Sequence, residues 1–228
     1  MVTRASTAGH RALLIKANGP NFSRGAELKI FHERGSSEAK AILERYFTIT
    51  RALEALPIPV IAGVQGLCQA SGLELALACD FILAAQSARF SQPEALIGAT
   101  TFLGGAQRLA RRCGDARALE IVYTADIYSA ATFERWNIVN RIVADEILHR
   151  EALALAKRLV AGPTRAHGMT KHLVRTFNAG GLPAADAAVL SEAVALWDTA
   201  DMQSVSRGFS MSIAPRRVPA VPAFPVAD

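Results

Sequence analysis

The chain has 228 residues, of which 51% are hydrophobic, so it can bury a core of ordinary size in one domain with a small appendage. Its net charge of +5 does not indicate nucleic-acid binding, because the basic residues are scattered, as at Arg108, Arg111 and Arg112. There is no apolar run of the roughly 18 residues that a membrane span needs and no secretory signal at the start. We therefore expect a soluble, cytoplasmic protein without a nucleic-acid or membrane partner.

The first half of the chain alternates strand-like and helix-like segments. Short apolar runs bounded by turn residues predict buried strands, and apolar residues at helical spacing predict a helix that Pro57 and Pro59 end. This alternation is typical of an α/β protein with a mainly parallel sheet, in which ligands bind beyond the carboxyl ends of the strands. In chain order we predict a strand at residues 12–17, a helix at 37–56, a strand at 60–64, a small-residue loop at 66–72, a buried helix at 73–79 and a strand at 81–85.

The second half is helical apart from a short extended segment at residues 138–143. Four prolines in residues 215–228 indicate a tail without a core of its own. We accordingly divide the chain into a core at residues 1–140, a helical region at 141–214 and a Pro-rich tail at 215–228. The predicted helices lie at residues 104–112, 116–123, 130–136, 146–161, 164–177, 184–197 and 202–213.

Neither a metal site nor a disulfide framework is expected. Cys68, Cys79 and Cys113 contain no C-x-x-C pair, and the five histidines show no ligand spacing. The glycine-rich and nucleophile signatures of common enzyme families are also absent. We therefore expect no metal and no redox cofactor.

Three motifs remain as candidates for chemistry: SRGAELK at residues 23–29, QGLCQASGLELALACD at 65–80 and FSQPEALIGATTFLGGAQRL at 90–109. In content and order they resemble the crotonase, or enoyl-CoA hydratase/isomerase, superfamily. The resemblance implies an α/β fold, a crotonase-like ββα-spiral core with a helical C-terminal trimerisation region, assembled as a homotrimer or hexamer. It also implies an acyl-CoA substrate, with coenzyme A as part of the substrate and no separate cofactor.

The resemblance implies an oxyanion hole for the thioester oxygen, formed by the backbone N–H groups of Ala26 and Ser71. Two preorganised amides in a dry pocket would stabilise the negative charge of a thioester enolate, by about 3 kcal/mol each. Gly25 and Gly72, beside these amides, are candidate substrate-binding residues. Their alternative role is that of ordinary turn residues.

Glu94 and Glu74 occupy the positions of the family's acid/base glutamates. In a hydratase, Glu74 would activate water for C3 while Glu94 protonates C2, whereas Glu94 alone could shift a double bond. Each glutamate also has a purely structural alternative. Ser71 to Glu74 fits a helix capping box, in which the glutamate bonds the amide that the oxyanion needs. Glu94 follows Pro93 and could simply begin a helix.

Several departures from the family pattern bear on activity. Ser71 stands within the family's usual triple glycine, and Phe102 replaces the glycine of a Pro-Gly turn, one amide of which helps to hold the hydratase water. Set beside the family pattern, the resemblance also implies an N-terminal part that is shortened. Lys29 matches a position that approaches coenzyme A. These departures keep open a non-catalytic acyl-CoA-binding subunit of the same fold, next to the hydratase and isomerase alternatives.

Overall fold

The computed structural model describes residues 9–31 and 35–208. Its strands are β1 (Leu13–Lys16), β2 (Val60–Val64), β3 (Leu67–Gln69), β4 (Phe81–Ala85), β5 (Arg89–Ser91), β6 (Tyr128–Ser129) and β7 (Arg141–Val143). The helices are α1 (Ser36–Ala55), α2 (Ser71–Leu77), α3 (Gly105–Cys113), α4 (Asp115–Thr124), α5 (Ala130–Arg135), α6 (Leu148–Val160), α7 (Thr164–Ser191) and α8 (Ala200–Gly208). Short 3₁₀ helices cover Leu28–Phe31, Pro93–Ile97, Asp145–Ile147 and Ala193–Asp198.

The main sheet has four parallel strands in the order β1-β2-β4-β7. Every residue of β2 is buried, which explains why this strand is a continuous apolar run rather than an alternating one. Helix α6 packs across β1, β2 and β4. A second sheet pairs β3 with β5 in parallel and β5 with β6 antiparallel. The chain therefore leaves β2 and enters β3 within a few residues, which places the start of α2 beside the loop that follows β1.

A buried polar contact attaches the long helix α7 to the sheet. Asp80, just before β4, accepts hydrogen bonds from Val60 N at 2.8 Å and from Lys171 Nζ at 2.9 Å. Lys171 also donates to the carbonyl of Leu53 at the end of α1. One lysine thus joins α7, α1 and the beginnings of two neighbouring strands.

The predicted strands at residues 60–64 and 81–85 and the helix at 37–56 are confirmed, the helix within one residue at each end. The predicted loop at 66–72 is wrong in part, because β3 lies inside it. β7 pairs with β4, so the main sheet continues past residue 140, where we expected the core to end. The predicted helix at 202–213 is described only to Gly208, and the tail at 215–228 lies outside the described residues.

The two separate helices predicted at residues 164–177 and 184–197 are one long helix and a 3₁₀ helix in the structure. α7 runs on to Ser191 with a break at Gly181, whose φ of 72° is outside the helical region, and a 3₁₀ helix follows. By length and composition alone, the stretch Thr164–Asp198 is apolar enough to cross a membrane, and only 6% of its most apolar window is buried. A single match of this kind is weak evidence for a membrane span. Its contacts through Lys171 instead place the first half of α7 against the core.

Candidate active site

Two glycines let the loop after β1 approach the start of α2 closely. Gly25 has a φ of +95°, and a Cβ there would lie 2.7 Å from the Ala70 Cβ. A Cβ on Gly72 would lie 2.4 Å from the Ser23 Cβ. Ser23 pairs with the β3 backbone, since its N–H donates to Leu67 O and its carbonyl accepts from Gln69 N. Any larger residue at either glycine would force these two segments apart.

Ala26 and Ser71, one from each of these two segments, line the same cavity. Neither backbone N–H donates a hydrogen bond to any residue in the described ranges. Ser71 is the first residue of α2, where a backbone N–H has no intrahelical partner. Ala70 before it adopts a φ of 50°, which is unusual for a residue with a Cβ and gives the turn its sharp direction. The two N–H groups are therefore available to donate hydrogen bonds to a ligand oxygen.

Glu74 is anchored by a loop and does not form the capping box. Its side chain is 2% exposed, and Oε1 accepts hydrogen bonds from Leu103 N and Gly105 N, each at 2.8 Å. It makes no hydrogen bond to Ser71 N, so the amide that the capping box would occupy is left available. Burial raises the pKa of the Glu74 carboxyl, while these two N–H groups and the nearby Arg108 guanidinium lower it.

Glu94 lies on the 3₁₀ helix Pro93–Ile97, which ends at Gly98 in the left-handed conformation. Its side chain is buried and lines the cavity that Glu74 also lines. Burial raises the pKa of Glu94 to about 7, and the charge of Glu74 adds to the increase, whereas its own backbone N–H opposes it. A carboxyl group with this pKa is present in both protonation states near neutral pH, as an acid/base catalyst requires.

The cavity has a volume of about 510 Å³ and is mainly apolar. Helix α1 and the 3₁₀ helix with Glu94 both contribute to its walls, and Ala26, Ser71 and Glu74 line it as well. Arg24 is an exposed cationic side chain among the lining residues. The apolar walls consist mainly of Ile30, Ile42, Leu43, Tyr46, Leu96, Ile97 and Phe102.

Five of the residues predicted from the sequence meet at this cavity: Ala26, Ser71, Glu74, Glu94 and Phe102. Gly25 and Gly72 do not line it and act through the close approach of two backbones. Lys29 does not line it either, because its side chain is 80% exposed and forms an ion pair with Glu27. Its contact with coenzyme A stays a prediction.

Gln92 is a site residue that the sequence analysis did not single out. It is completely buried, and its amide, oriented to donate, lies 3.2 and 3.3 Å from the two carboxylate oxygens of Glu94. A Cβ on Gly105 would lie 2.4 Å from this amide and 3.1 Å from Glu74 Oε1, so only glycine fits at residue 105. Gln92 directly precedes the Pro93-Glu94 pair, which is the one local signal that could have revealed it.

Arg108 also differs from our expectation, since we counted it among scattered basic residues. Its side chain is buried and donates to Glu54 and to two carbonyl groups of the loop that holds Glu74. Within residues 9–31 and 35–208, no cluster of three or more His, Cys, Asp or Glu residues is arranged to hold a metal ion. The absence of a metal from the reaction stays a prediction.

A sequence model of the family described as enoyl-CoA hydratase/isomerase matches residues 5–212. Crotonyl-CoA hydratase of Syntrophomonas wolfei is 37% identical over 150 residues, which are 65% of this chain and 58% of that protein. The match thus spans less than two thirds of this curated relative. Enoyl-CoA hydratase subunit I of Geobacillus kaustophilus HTA426 has a TM-score of 0.87 at 30% identity, with 92% of this chain and 81% of the other covered. The enoyl-CoA hydratase of Bacillus anthracis has a TM-score of 0.86 at 26% identity, with 92% of this chain and 82% of the other covered.

Proposed function

The chain belongs to the enoyl-CoA hydratase/isomerase family, and we propose that it adds water to a 2-enoyl-CoA to form a 3-hydroxyacyl-CoA. The solved structures that resemble it confirm the crotonase-like α/β fold with a helical C-terminal region. The observation that carries the proposal is one apolar cavity lined by two buried carboxyl groups, Glu74 and Glu94, and by two backbone N–H groups without partners in the described chain.

The proposed reaction uses each of these groups once. The thioester oxygen accepts hydrogen bonds from the N–H groups of Ala26 and Ser71, which stabilise the enolate by about 3 kcal/mol each. Glu74 takes a proton from water as the water oxygen bonds to C3. Glu94 donates a proton to C2, so that the C2–C3 double bond becomes single. Before the next turnover Glu74 releases the proton that it took and Glu94 regains one, so that one water is added in total. The raised pKa of Glu94 supports its role as the acid.

The cavity walls favour an apolar acyl chain. Helix α1 contributes Ile42, Leu43 and Tyr46, and no charged side chain of the described residues lines the cavity except Arg24, Glu74 and Glu94. An acyl group that carries a carboxylate near the reacting carbons would be repelled by both glutamates. We therefore propose straight or branched hydrocarbon acyl groups as substrates.

Double-bond isomerisation is the second candidate, and Phe102 is the observation that favours it. This side chain lines the cavity at the position where the family's glycine helps to hold the hydratase water. A bulky ring there reduces the room for water. Isomerisation needs only one group that moves a proton between two carbons, and Glu94 alone could do this.

Product analysis tests the proposal directly. We would incubate the full chain with 2-enoyl-CoA and 3-enoyl-CoA thioesters and measure product masses. A gain of one water supports hydration, and an isobaric product supports isomerisation. Binding of the esters without any product would instead support a non-catalytic acyl-CoA-binding subunit and would overturn the proposal.

The hydration rate should pass through a maximum with pH, because one carboxyl group must be protonated and the other ionised. Glu94 must be protonated to donate its proton, so kcat/KM for hydration should fall as pH rises above the raised pKa of about 7. Glu74 must be ionised to accept a proton, so the rate should also fall at acid pH. Because the two carboxyl groups interact, the apparent pKa values of the acid and alkaline limbs of the profile belong to the pair and not to either residue alone. A profile measured between about pH 5 and 9 that rises continuously through neutrality would contradict these roles.

We also propose that the protein assembles as a homotrimer or hexamer. The second half of α7 and the 3₁₀ helix after it expose several large apolar side chains, as subunit interfaces do before assembly. Light scattering should give a mass of three or six chains, and a monomer at micromolar concentration would contradict this. The exposed side chains that carry the prediction are Leu182, Val189, Leu190, Val194 and Trp197.

A further inference from the structure

Arg108 and Glu54 form a nearly buried ion pair behind the candidate active site. Arg108 lies in the first turns of α3, Glu54 lies near the end of α1, and their side chains are 10% and 20% exposed. The contact is bidentate, with Nε 2.9 Å from Oε1 and Nη2 2.8 Å from Oε2. Such a pair fixes the guanidinium plane, because two parallel hydrogen bonds leave it little freedom to turn.

The remaining donor of Arg108 is directed at the loop between the two active-site motifs. Nη1 donates to Leu103 O at 2.6 Å and to Gly104 O at 3.2 Å. Gly104 has a φ of +85°, and a Cβ there would lie 2.3 Å from Nη1. The loop therefore follows the surface of the guanidinium group so closely that residue 104 has no room for a side chain.

The same loop holds Glu74 from its other side. Gly104 O and Gly105 N belong to one planar peptide unit, in which Arg108 bonds the oxygen and Glu74 Oε1 accepts from the nitrogen. The second donor to Oε1 is Leu103 N, from the residue whose carbonyl Arg108 also bonds. Turning the guanidinium would turn the peptide unit and would move the N–H groups that anchor the carboxylate.

The anchoring leaves one oxygen of Glu74 for chemistry. Oε1 is occupied by two N–H groups, whereas Oε2 accepts no hydrogen bond from any residue that the structure describes. Glu74 lines the cavity, so the proposed water would meet a carboxylate whose rotation is already fixed. Fixed orientation of a base is worth a large part of its catalytic effect, because a shift of about 1 Å can cost about 100-fold in rate.

We propose that Arg108, held by Glu54, is a positioning residue that fixes Glu74 through the peptide units of residues 103–105, an inference that rests on the proposed hydration. Its charge also acts on Glu74, in competition with other groups. Glu94 from the 3₁₀ helix opposes simultaneous ionisation of the two glutamates, Arg24 lines the cavity, and Arg111 lies 3.9 Å from Glu54. Of these, only Arg108 bonds the loop that anchors Glu74.

The first test replaces Arg108 with methionine, which keeps the length of the side chain but removes the charge and both carbonyl contacts. We expect kcat for hydration to fall by about 10- to 100-fold with KM changed by less than about twofold. The acid limb of the pH profile should move to higher pH, because loss of a positive charge raises the pKa of Glu74. Arg111→Met, on the same helix and beside the same Glu54, should leave kcat and the acid limb unchanged.

Arg108→Lys separates position from charge and guards against a variant that fails to fold. Lysine keeps the charge beside Glu54 but lacks the planar guanidinium that makes the bidentate contact with Glu54 and holds the loop carbonyls in one fixed geometry. We expect the acid limb to stay in place while kcat falls. Two results would overturn the proposal. One is a wild-type kcat in Arg108→Lys, and the other is an Arg108→Met variant that changes only thermal stability and KM while its kcat stays at the wild-type value.

A measurement without turnover keeps this inference separate from the proposed function. The carboxyl carbon of Glu74 can be followed by ¹³C NMR and identified by its loss in Glu74→Gln. In Arg108→Met its titration should shift to higher pH, and in Arg111→Met it should not. If the wild-type chain hydrated no 2-enoyl-CoA, the proposed function would fail, and this titration would still decide whether Arg108 acts on Glu74. An unchanged titration would refute the inference.

Discussion

Replacement of Glu94 by glutamine should abolish nearly all turnover on any 2-enoyl-CoA or 3-enoyl-CoA, a loss of about 10²- to 10⁴-fold. Hydration and isomerisation both pass through a thioester enolate, and each needs a group that exchanges a proton with the acyl carbons. Glutamine keeps the shape of the side chain beside the Gln92 amide but cannot donate an acidic proton. The variant should therefore fold and bind acyl-CoA, which initial rates, thermal melting and a binding titration would check together.

The matched control is Glu146→Gln, which changes an exposed glutamate that does not line the cavity. It should keep the wild-type rate on every substrate. If Glu94→Gln retained more than about a tenth of the wild-type rate, the loss that general acid–base catalysis predicts would be absent. Glu94 would then not be the group that moves the proton.

The division of roles between the two glutamates follows from their surroundings. Glu74 is more deeply buried, but two N–H groups and Arg108 favour its charged form. Glu94 has the Gln92 amide and its own backbone N–H beside its carboxylate but, among the described residues, no cation, and burial together with the charge of Glu74 raises its pKa to about 7. Two carboxyl groups whose environments differ in this way suit a base and an acid respectively. The assignment of Glu74 as base and Glu94 as acid, which the family resemblance implied, stays a prediction for the variants to test.

The buried strands β2 and β4 were predicted well from the sequence, because a strand that is buried on both faces consists of apolar residues throughout. β2 and β4 are continuous apolar runs, and both were predicted within their true limits. β3 was missed because it is only three residues long, contains Gln69 and is stabilised by pairing with β5, more than twenty residues later. The pairing of short strands is a tertiary property that local composition does not reveal.

The partners of the site residues were less predictable than the residues themselves. Ser71 to Glu74 satisfied a local capping rule, but Glu74 bonds two amides that lie 29 and 31 residues away in the sequence. Arg108 was counted only among the scattered basic residues, because nothing beside it in the sequence indicates a partner. Its partner Glu54 lies 54 residues earlier, and only the fold brings them together. Local rules failed where a distant segment supplied a competing partner.

Glu74→Gln should separate hydration from isomerisation. Glutamine can still accept the hydrogen bonds of Leu103 N and Gly105 N through its amide oxygen, so the loop at residues 103–105 should keep its position. It cannot take a proton from water, and hydration of a 2-enoyl-CoA should fall by about 10²- to 10⁴-fold. Any double-bond shift of a 3-enoyl-CoA needs only Glu94 and should persist.

The measurement compares both rates in Glu74→Gln with those in Glu44→Gln, which changes an exposed glutamate of α1 that pairs only loosely with Lys40 at 4.0 Å. The control should behave as wild type on both substrates. Hydration above about a tenth of the wild-type rate in Glu74→Gln would show that Glu74 is not the base that activates water. Equal loss of hydration and isomerisation would mean that Glu74 is needed to form the enolate itself. Both carboxyl groups would then act on the acyl carbons rather than on water, which would agree with the small room that Phe102 leaves for water.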